Sequence, residues 1–544
     1  MIQKAKIIFL FLLFSLPTIL FSQHTNYHLG NQSEREVSRE ISASSEIVHT
    51  GFKPLRKSYV QPKISPNMPP RARITLLNWF SKKLFEDDFY VKQKKDLNIY
   101  FNPLIDLHQG RSKFDTSKFS QNTRAFEIYG DLGEKLSFYS SFYENQAFFP
   151  KYIDDKVVSS VVVPGQGSWK DFKKDEVMGR DFGYASGYIS FSPIKKFNLQ
   201  LGHGKNFVGD GYRSLLLSDN SFYYPFAKFS FDFGKLQYTS LFTEFQAFTT
   251  RYYLYHHKKH GTFNYLSYSP HHKIQIGIFE GIIWQTSDDS TYTKKFNVNY
   301  FNPLMLVRPF QYGLNDENNI LLGLNIKYNP IKYTEIYGQL MLDNVDFDKI
   351  NEKGYIENKY GYQAGAKIYD AFFNKFEKMK LYLQAEYNMV RPYAYSHTDW
   401  HQEYSHYNQP LAHPLGAGFE ETIIIANLEA YKFYFTFQHN NAITSTDVYI
   451  TDELGESALS NYGSNIFSRT TNNVSELENE IGQGNRTTIK NNFFTLGYIF
   501  NKKTNLQVFT SLQFRNFSDT NSQRNDRLIS FGVKTSIDNF YYDW

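Results

Sequence analysis

The segment 202–220 is rich in glycine and carries charged side chains that could hold an anionic ligand. Its glycines could cradle a phosphate, yet it lacks the Gly-Lys-Ser/Thr ending of a P-loop and no βαβ pattern surrounds it. A tight loop folded inward is the plainer interpretation. If Arg213 is buried, its guanidinium could instead bind a carboxylate on a sugar chain, with Asp219 and Asn220 as further candidate contacts.

A second segment, 302–313, is unusually apolar for a connection between strands. We expect it to pack in the protein interior instead of extending into water. Arg308 and Gln311 are the side chains in it that could contact a ligand. The competing interpretation is that the segment only fills the protein interior and contacts no ligand.

Stacking and hydrogen-bonding side chains are concentrated between residues 391 and 416. Aromatic rings offer an apolar face to sugars, and amide or imidazole groups bond to hydroxyls. The candidate polysaccharide contacts here are Arg391, Tyr393, Trp400, Asn408, Gln409 and His413. Histidines in this segment could suggest a metal, but no carboxylate-supported HxxxH motif is present, so we expect no metal site and no cofactor. Structural packing of the segment is the alternative.

Recognisable catalytic motifs are absent from the sequence. There is no Gly-x-Ser-x-Gly elbow, and no spaced pair of acids stands out. The chain has no cysteine, which excludes thiol catalysis, cysteine metal sites and disulfides. We therefore predict a protein that is not an enzyme. The net charge of +5 gives no bulk basic field for binding nucleic acid.

These segments interrupt a regular alternation of amphipathic strands, short turns and long polar loops that begins near Asp96. Along the strands, apolar residues suited to lipid alternate with amide and charged residues suited to a wet interior. The pattern predicts an all-β fold, a transmembrane antiparallel β-barrel of about 18 strands with long extracellular loops. The predicted strands are 96–109, 122–130, 135–146, 181–191, 197–204, 225–233, 235–249, 262–269, 273–283, 320–329, 332–345, 360–371, 378–390, 419–428, 431–439, 490–500, 503–516 and 527–537.

Proline, asparagine and lysine mark the short turns, which follow the even-numbered strands, while longer connections follow the odd-numbered ones. This parity puts both ends of the barrel in the periplasm. The last predicted strand is followed by an aromatic residue, Trp544. That arrangement looks like the signal read by outer-membrane assembly machinery, which is therefore a predicted partner.

The start of the chain has the pattern of an export signal, with a basic start before an apolar run. We predict a cleaved signal over 1–22, a periplasmic extension over 23–92 with a short amphipathic helix at 74–85, and the barrel over 93–544. No apolar run of about 18 residues follows the signal, so no transmembrane helix is expected. The aromatic content of 18% suits the ring girdles of a membrane barrel. We expect a cell-surface, outer-membrane location with lipid as a partner.

Several strings of residues resemble the Wzi-like capsule-assembly family of Bacteroidetes, the group that includes the gliding-motility protein RemB. The similarity covers most of the chain after about residue 90, in the strings 122–124, 142–146, 163–167, 209–220 and 408–416. The resemblance implies an outer-membrane barrel of 18 strands, closed on the periplasmic side by helices. It also implies a surface lectin that organises capsular polysaccharide.

Three functions compete at this point. The first is a non-enzymatic binder or organiser of capsular or exported polysaccharide, with a part in surface adhesion and gliding motility. The second is a diffusion porin for small polar solutes, which the same barrel would serve if its interior were open. The third is an accessory barrel that docks to secretion or motility proteins.

Overall fold

A computed structural model describes residues 25–64, 79–114, 117–174, 177–247, 257–285, 305, 318–376, 378–399, 401–451, 457–538 and 540–544. The predicted signal at 1–22 and the first part of the helix predicted at 74–85 lie outside these residues. Arg308, Gln311 and Trp400 lie outside them too.

Eighteen antiparallel strands form one closed barrel within the described ranges. Each overlaps one predicted strand, so the predicted fold class is confirmed. The barrel closes between the last strand and the first, with Leu528 opposite Ser112. The strands are β1 (Leu97–Ser112), β2 (Lys118–Leu132), β3 (Leu136–Phe148), β4 (Val177–Ile194), β5 (Phe197–Gly204), β6 (Tyr224–Asp232), β7 (Leu236–Ala247), β8 (His257–His271), β9 (Ile274–Gln285), β10 (Asn319–Tyr328), β11 (Thr334–Asn344), β12 (Lys359–Ile368), β13 (Met379–Val390), β14 (Phe419–Ala430), β15 (Phe433–Thr446), β16 (Asn485–Asn501), β17 (Leu506–Ser518) and β18 (Gln523–Lys534).

The alternation of side chains along the strands separates a wet interior from a lipid-facing surface. On β17, the inward-facing Gln513 donates to Asn491 Oδ1 on β16 at 3.1 Å. The next residue back, Leu512, points outward and is 41% exposed. Among the described residues, no helix is both long and apolar enough to cross a membrane.

Short turns follow the even-numbered strands, as predicted, but the connections after β1 and β17 are short as well. Polar residues that the sequence places in loops extend these strands, because a backbone ladder can continue beyond the lipid into water. At 519–522 the carboxylate of Asp519 accepts from the backbone N–H of Asn521 and Ser522, which closes a tight turn. The long connection between the predicted strands 431–439 and 490–500 is shortened in the same way, because β15 ends at Thr446 and β16 begins at Asn485.

The N-terminal extension contains more helix than predicted. Besides α3 (Trp79–Phe85), which falls within the predicted helix, there are α1 (Asn31–Ala43) and α2 (Lys57–Ile64). Helix α2 contains Pro62, a residue that usually interrupts a helix interior. The sequence pattern misses α1 because its apolar residues are few, chiefly Val37 and Ile41, which pack on the N-terminal segment itself.

Helix α1 docks against the short-turn end of the barrel. The guanidinium of Arg35 lies 5.3 Å from the ring centroid of Tyr382, and that of Arg39 lies 5.4 Å from the ring of Tyr333. Arg39 also donates to Asn374 Oδ1 at 2.9 Å, in the turn between β12 and β13. Helix α1 therefore covers part of this end of the barrel, whereas closure of the periplasmic side by helices stays a prediction of the family resemblance.

Replacing Leu512 by arginine tests which face of β17 meets lipid. A cationic side chain near the bilayer midplane should cost about 2–4 kcal/mol of folding free energy, as measured by urea unfolding of the reconstituted barrel. Asn516 also points outward but lies near the strand end, so Asn516→Arg is the matched control and should cost about 0–1 kcal/mol. Equal losses of folding free energy at the two positions would contradict the assignment of Leu512 to the lipid-facing side of β17.

Candidate functional site

Four segments of the chain enter the interior of the barrel, and together they form what we call the lumen plug. The plug consists of residues 48–56, 205–223, 401–418 and the described part of 535–544. It therefore combines part of the N-terminal extension and the C-terminal segment with two long connections between strands. Its contacts with inward-facing strand residues define the candidate site.

The segment 205–223 folds inward, as the plainer interpretation of its glycines predicted. Phe207–Val208 forms a short antiparallel pairing with Phe52–Lys53 of the N-terminal segment. Gln339 of β11 donates to the carbonyl of Val208 at 2.9 Å. Gly209 follows with φ of 134°, a backbone conformation that side chains rarely adopt.

The apolar part of the plug is the run Leu215, Leu216 and Leu217, none of which is exposed. The run belongs to one buried cluster with residues of strands β8 to β11. Two tyrosine hydroxyls from the connection between β13 and β14 also hold it. Tyr395 donates to the carbonyl of Leu215 at 2.7 Å, and Tyr404 donates to that of Leu216 at 2.6 Å.

Arg213 is the centre of the polar part of the plug and is 1% exposed. Its Nη2 donates to Glu421 Oε1 at 3.1 Å and to Asp543 Oδ1 at 2.8 Å. Burial alone would lower the pKa of Arg213, but Asp543 and Glu421 raise it well above its usual value. The rings of Tyr212 and Tyr541 lie 4.9 Å and 4.8 Å from the guanidinium carbon. Its Nη1 has no hydrogen-bond partner within the described residues.

His413 joins this cluster through a carboxylate that it shares with Arg213. Its Nε2 lies 2.8 Å from Glu421 Oε2, and burial lowers its pKa against the opposing effect of Glu421. A further carboxylate, that of Glu386 on β13, accepts from the backbone N–H of Arg213 at 3.1 Å. The structure thus brings together two residues predicted as ligand contacts, and the acids that pair with them come from β13, β14 and the C-terminal segment.

Asp219 and Asn220, also predicted contacts, bind within the chain. Tyr541 donates its hydroxyl to Asp219 Oδ1 at 2.7 Å, and Lys205 donates to the carbonyl of Asp219 at 3.0 Å. Burial raises the pKa of Asp219, against the opposing effect of Lys205. Asn220 donates to the carbonyl of Pro410 at 3.0 Å.

Asn408 and Gln409 attach their connection to the one between β3 and β4, which contains α4 (Lys151–Ser160). Asn408 donates to the carbonyl of Ser160 at 2.6 Å, and Gln409 Oε1 accepts from the N–H of Gly165 at 2.6 Å. Both amides therefore join long connections to each other.

Arg391 and Tyr393 lie farther out and fix the long connections beyond the strand ends. Arg391 Nε donates to the carbonyl of Asn358 at 3.1 Å, and its Nη2 donates to that of Asn479 at 3.4 Å. Tyr393 donates its hydroxyl to the carbonyl of Asn461 at 2.8 Å. All eight described candidates have partners inside the chain, and their contact with a ligand stays a prediction.

A second buried ion cluster holds the N-terminal segment, and the sequence reasoning did not single it out. Asp210 Oδ1 accepts from Thr50 Oγ1 at 2.7 Å, and Oδ2 accepts from Asn325 Nδ2 at 3.1 Å. Lys327 Nζ lies 3.9 Å from Asp210 Oδ1. Burial alone would raise the pKa of Asp210, but Lys327 and Lys53 bring it down to about 2. Charged residues on the polar face of predicted strands, such as Lys327, were the available signal.

A cavity beside Asp219 is lined by tyrosine rings and by polar side chains. The rings of Tyr139 and Tyr188 stack across β3 and β4 with centroids 5.5 Å apart. The lining also includes Tyr27, His28, Lys205 and Tyr223. Burial lowers the pKa of Lys205 to about 8, although Asp219 and Asp538 oppose this shift. In the described parts of the chain, no group of three or more histidine and acidic side chains could hold a metal ion.

Acid should weaken the hold of Asp210 on the N-terminal segment. A carboxyl with a depressed folded-state pKa adds stability above its unfolded value of 3.8, and this stability is lost as the pH falls through about 2. We expect the stability difference between wild type and Asp210→Asn to narrow by about 2 kcal/mol from pH 7 to about pH 2, measured by urea unfolding. If the stability difference between wild type and Asp210→Asn does not change with pH, the lowered pKa assigned to Asp210 is wrong.

Removing the charge of Arg213 should leave two buried carboxylates without a counter-ion. We expect Arg213→Met to cost about 3–5 kcal/mol of folding free energy, because Glu421 and Asp543 lose their counter-ion. The matched variant combines Arg213→Met with Glu421→Gln and Asp543→Asn, so neither acid carries an unpaired charge. It should regain most of the lost folding free energy, measured by urea unfolding. No recovery would show that packing, not charge, accounts for the effect.

No family model matches the chain, and a search of curated proteins finds no match. Among solved structures, the chain is similar to Wzi, an outer membrane protein involved in group 1 capsule assembly in Escherichia coli and a carbohydrate-binding β-barrel. The TM-score is 0.55 at 12% identity, over 95% of this chain and 100% of that one. OccAB2 of Acinetobacter baumannii aligns with a TM-score of 0.42 at 9% identity over 81% and 97% of the two chains. A BenF-like porin of Pseudomonas fluorescens Pf-5 aligns with 0.41 at 8% over 81% and 99%. The chain thus has a Wzi-like outer-membrane barrel fold.

Proposed function

We propose that this protein is an outer-membrane barrel that binds or organises capsular or exported polysaccharide at the cell surface, without catalysing a reaction. The observation that carries the proposal is the lumen plug. Chain segments from four places occupy the interior, and buried ion pairs such as that of Arg213 with Asp543 hold them there. A barrel filled in this way is better suited to presenting a binding surface than to passing solutes.

The chemistry of the loops and of the cavity supports a glycan as the ligand. The connection 391–418 carries tyrosine, amide and imidazole groups, and Arg391 ties it to two neighbouring connections. The cavity beside Asp219 offers stacked tyrosine rings. The Wzi-like fold adds a precedent, because Wzi is a carbohydrate-binding barrel.

The proposal includes export through a signal cleaved near residue 22 and insertion by the outer-membrane assembly machinery. In the folded barrel, the ring of Trp544 lies 6.0 Å from that of Tyr152 and is not part of β18. We therefore propose that the machinery reads this segment before it folds into the lumen. Surface adhesion and gliding would be consequences of glycan binding, whereas docking to secretion or motility proteins is the alternative.

Deleting the gene in its native organism and measuring surface-attached against shed polysaccharide tests the proposal. We expect the deletion to increase shedding, and Trp400→Ala to reproduce it if the outer connections bind the glycan. Tyr139→Ala should reproduce it instead if the cavity does. Lys353→Ala is the matched surface control, since its exposed pair with Glu480 contributes little to stability. Arg391→Ala should shed glycan by releasing the outer connections.

Conductance of the purified barrel in a planar bilayer separates the binder from the porin. We expect almost no steady current, because the described plug fills the interior. Unchanged surface glycan in the deletion strain together with a stable, ohmic conductance would overturn the proposal in favour of a diffusion porin. Unchanged glycan with no conductance would favour an accessory barrel, which co-purification of partner proteins would identify.

A further inference from the structure

The rim of the barrel at the short-turn end carries a patch in which exposed rings and lysines alternate. It lies on the neighbouring turns between β12 and β13 and between β14 and β15. Every residue of the patch is exposed. We call it the rim patch, and its members are Phe373, Lys375, Phe376, Lys378, Tyr431, Lys432 and Phe433.

Specific contacts hold the two turns of the rim patch together. The backbone N–H of Tyr431 donates to the carbonyl of Lys378 at 2.8 Å. Lys378 Nζ lies 5.4 Å from the centroid of the Tyr431 ring, and Lys375 Nζ lies 5.9 Å from that of Phe376. Each ammonium group thus lies over an aromatic face, with its charge still open to water.

Tyr431 is the first residue of the two-residue turn between β14 and β15. Its φ is 60°, in the left-handed region that a bulky residue rarely adopts. Other short turns place Tyr333 and Asn505 in the same region, with φ of 64° and 53°, so the conformation follows from the turn. The turn directs the Tyr431 ring outward, where it is 69% exposed beside the 56% exposed Phe433.

Among the described residues, no carboxylate forms an ion pair with a lysine of the rim patch. Asp370 begins the same turn, but it is fully buried and accepts from the backbone N–H of Phe372 and Asn374. Glu377 stands between Phe376 and Lys378 in the sequence and lies outside the described residues. Within the described part of the chain, none of the three patch lysines lies within 4.0 Å of a carboxylate, and Lys432 donates to the carbonyl of Phe500 at 3.3 Å.

The neighbouring surface along the same rim is also apolar and basic. Phe500, near the end of β16, points away from the lumen, and the ring of Phe85 in α3 lies 6.1 Å from it. Helix α3 therefore lies against the end of β16 at this rim, and its Leu84 is 38% exposed. An exposed lysine, Lys502, follows in the next turn.

We propose that the rim patch binds the headgroup of an anionic phospholipid in the periplasmic leaflet of the membrane. Aromatic rings favour the level of the headgroups, and lysines reach from apolar surface towards an anionic interface. Short turns of such barrels face the periplasm, which places the patch at that leaflet. The proposal rests on the fold and its orientation, and it is independent of the polysaccharide ligand.

The test counts lipids retained by the full-length protein. Detergent-purified barrel is equilibrated with equal amounts of phosphatidylglycerol and phosphatidylcholine of the same acyl chains, and bound lipid is measured by native mass spectrometry. We expect a preference for phosphatidylglycerol of about fivefold or more, weakened at about 0.5 M salt. Lys375→Gln with Lys378→Gln and Lys432→Gln should abolish the preference, and Tyr431→Ala should reduce retention of both lipids.

The matched control removes three exposed lysines elsewhere on the barrel, with Lys170→Gln, Lys173→Gln and Lys174→Gln on the short strand Lys170–Lys174. It should keep the preference, and the heat-shifted gel mobility of a folded barrel confirms folding of every variant. Equal retention of the two lipids by wild type, or equal loss in both triple variants, would overturn the proposal. Loss of retention on adding inorganic phosphate, with ionic strength held constant, would also overturn it, by assigning the patch to free phosphate.

Discussion

The constraint on which this structure depends is that backbone groups in lipid must find hydrogen bonds within the protein. A sheet with an open edge cannot meet it, so the ladder runs through all eighteen strands and returns from β18 to β1. Closing so many strands makes a barrel too wide for its own inward-facing side chains to fill. A barrel of this width can stay open as a channel or be packed by additional chain, and here the lumen plug supplies that chain.

Polar plug segments bring charges into the barrel, and those charges set the conditions for packing. Arg213 is tolerated at 1% exposure because Glu421 and Asp543 bind it, and Asp210 is tolerated because Lys327 lies nearby. A buried pair adds little stability over an apolar pair, but breaking one is costly. These pairs therefore select one arrangement of the plug among the many that apolar packing would allow.

The barrel was predictable from sequence because its strands follow a local rule, the alternation of lipid-facing and inward-facing residues between marked turns. The plug followed that rule only in part. The glycines of 202–220 suggested an inward loop, but the partners of Arg213 lie 208 and 330 residues away, at Glu421 and Asp543. No local pattern shows such a pairing. The return of the chain after β18 into the lumen, and helix α1 with its few apolar residues, were missed for the same reason: tertiary contacts determine them.

The buried charges of the lumen plug also affect whether the barrel could bind a ligand or conduct a solute. To open a path beside Arg213, Asp543 would have to move away, leaving a buried guanidinium with one carboxylate fewer. A small neutral solute offers nothing to replace that contact. A ligand with its own carboxylate could take the position of Asp543 and leave Arg213 paired, which is the chemistry that the sequence suggested for this residue. Asp543 also accepts from Tyr212, Gln438 and Asn440, so a ligand that took its place would have to satisfy these donors as well.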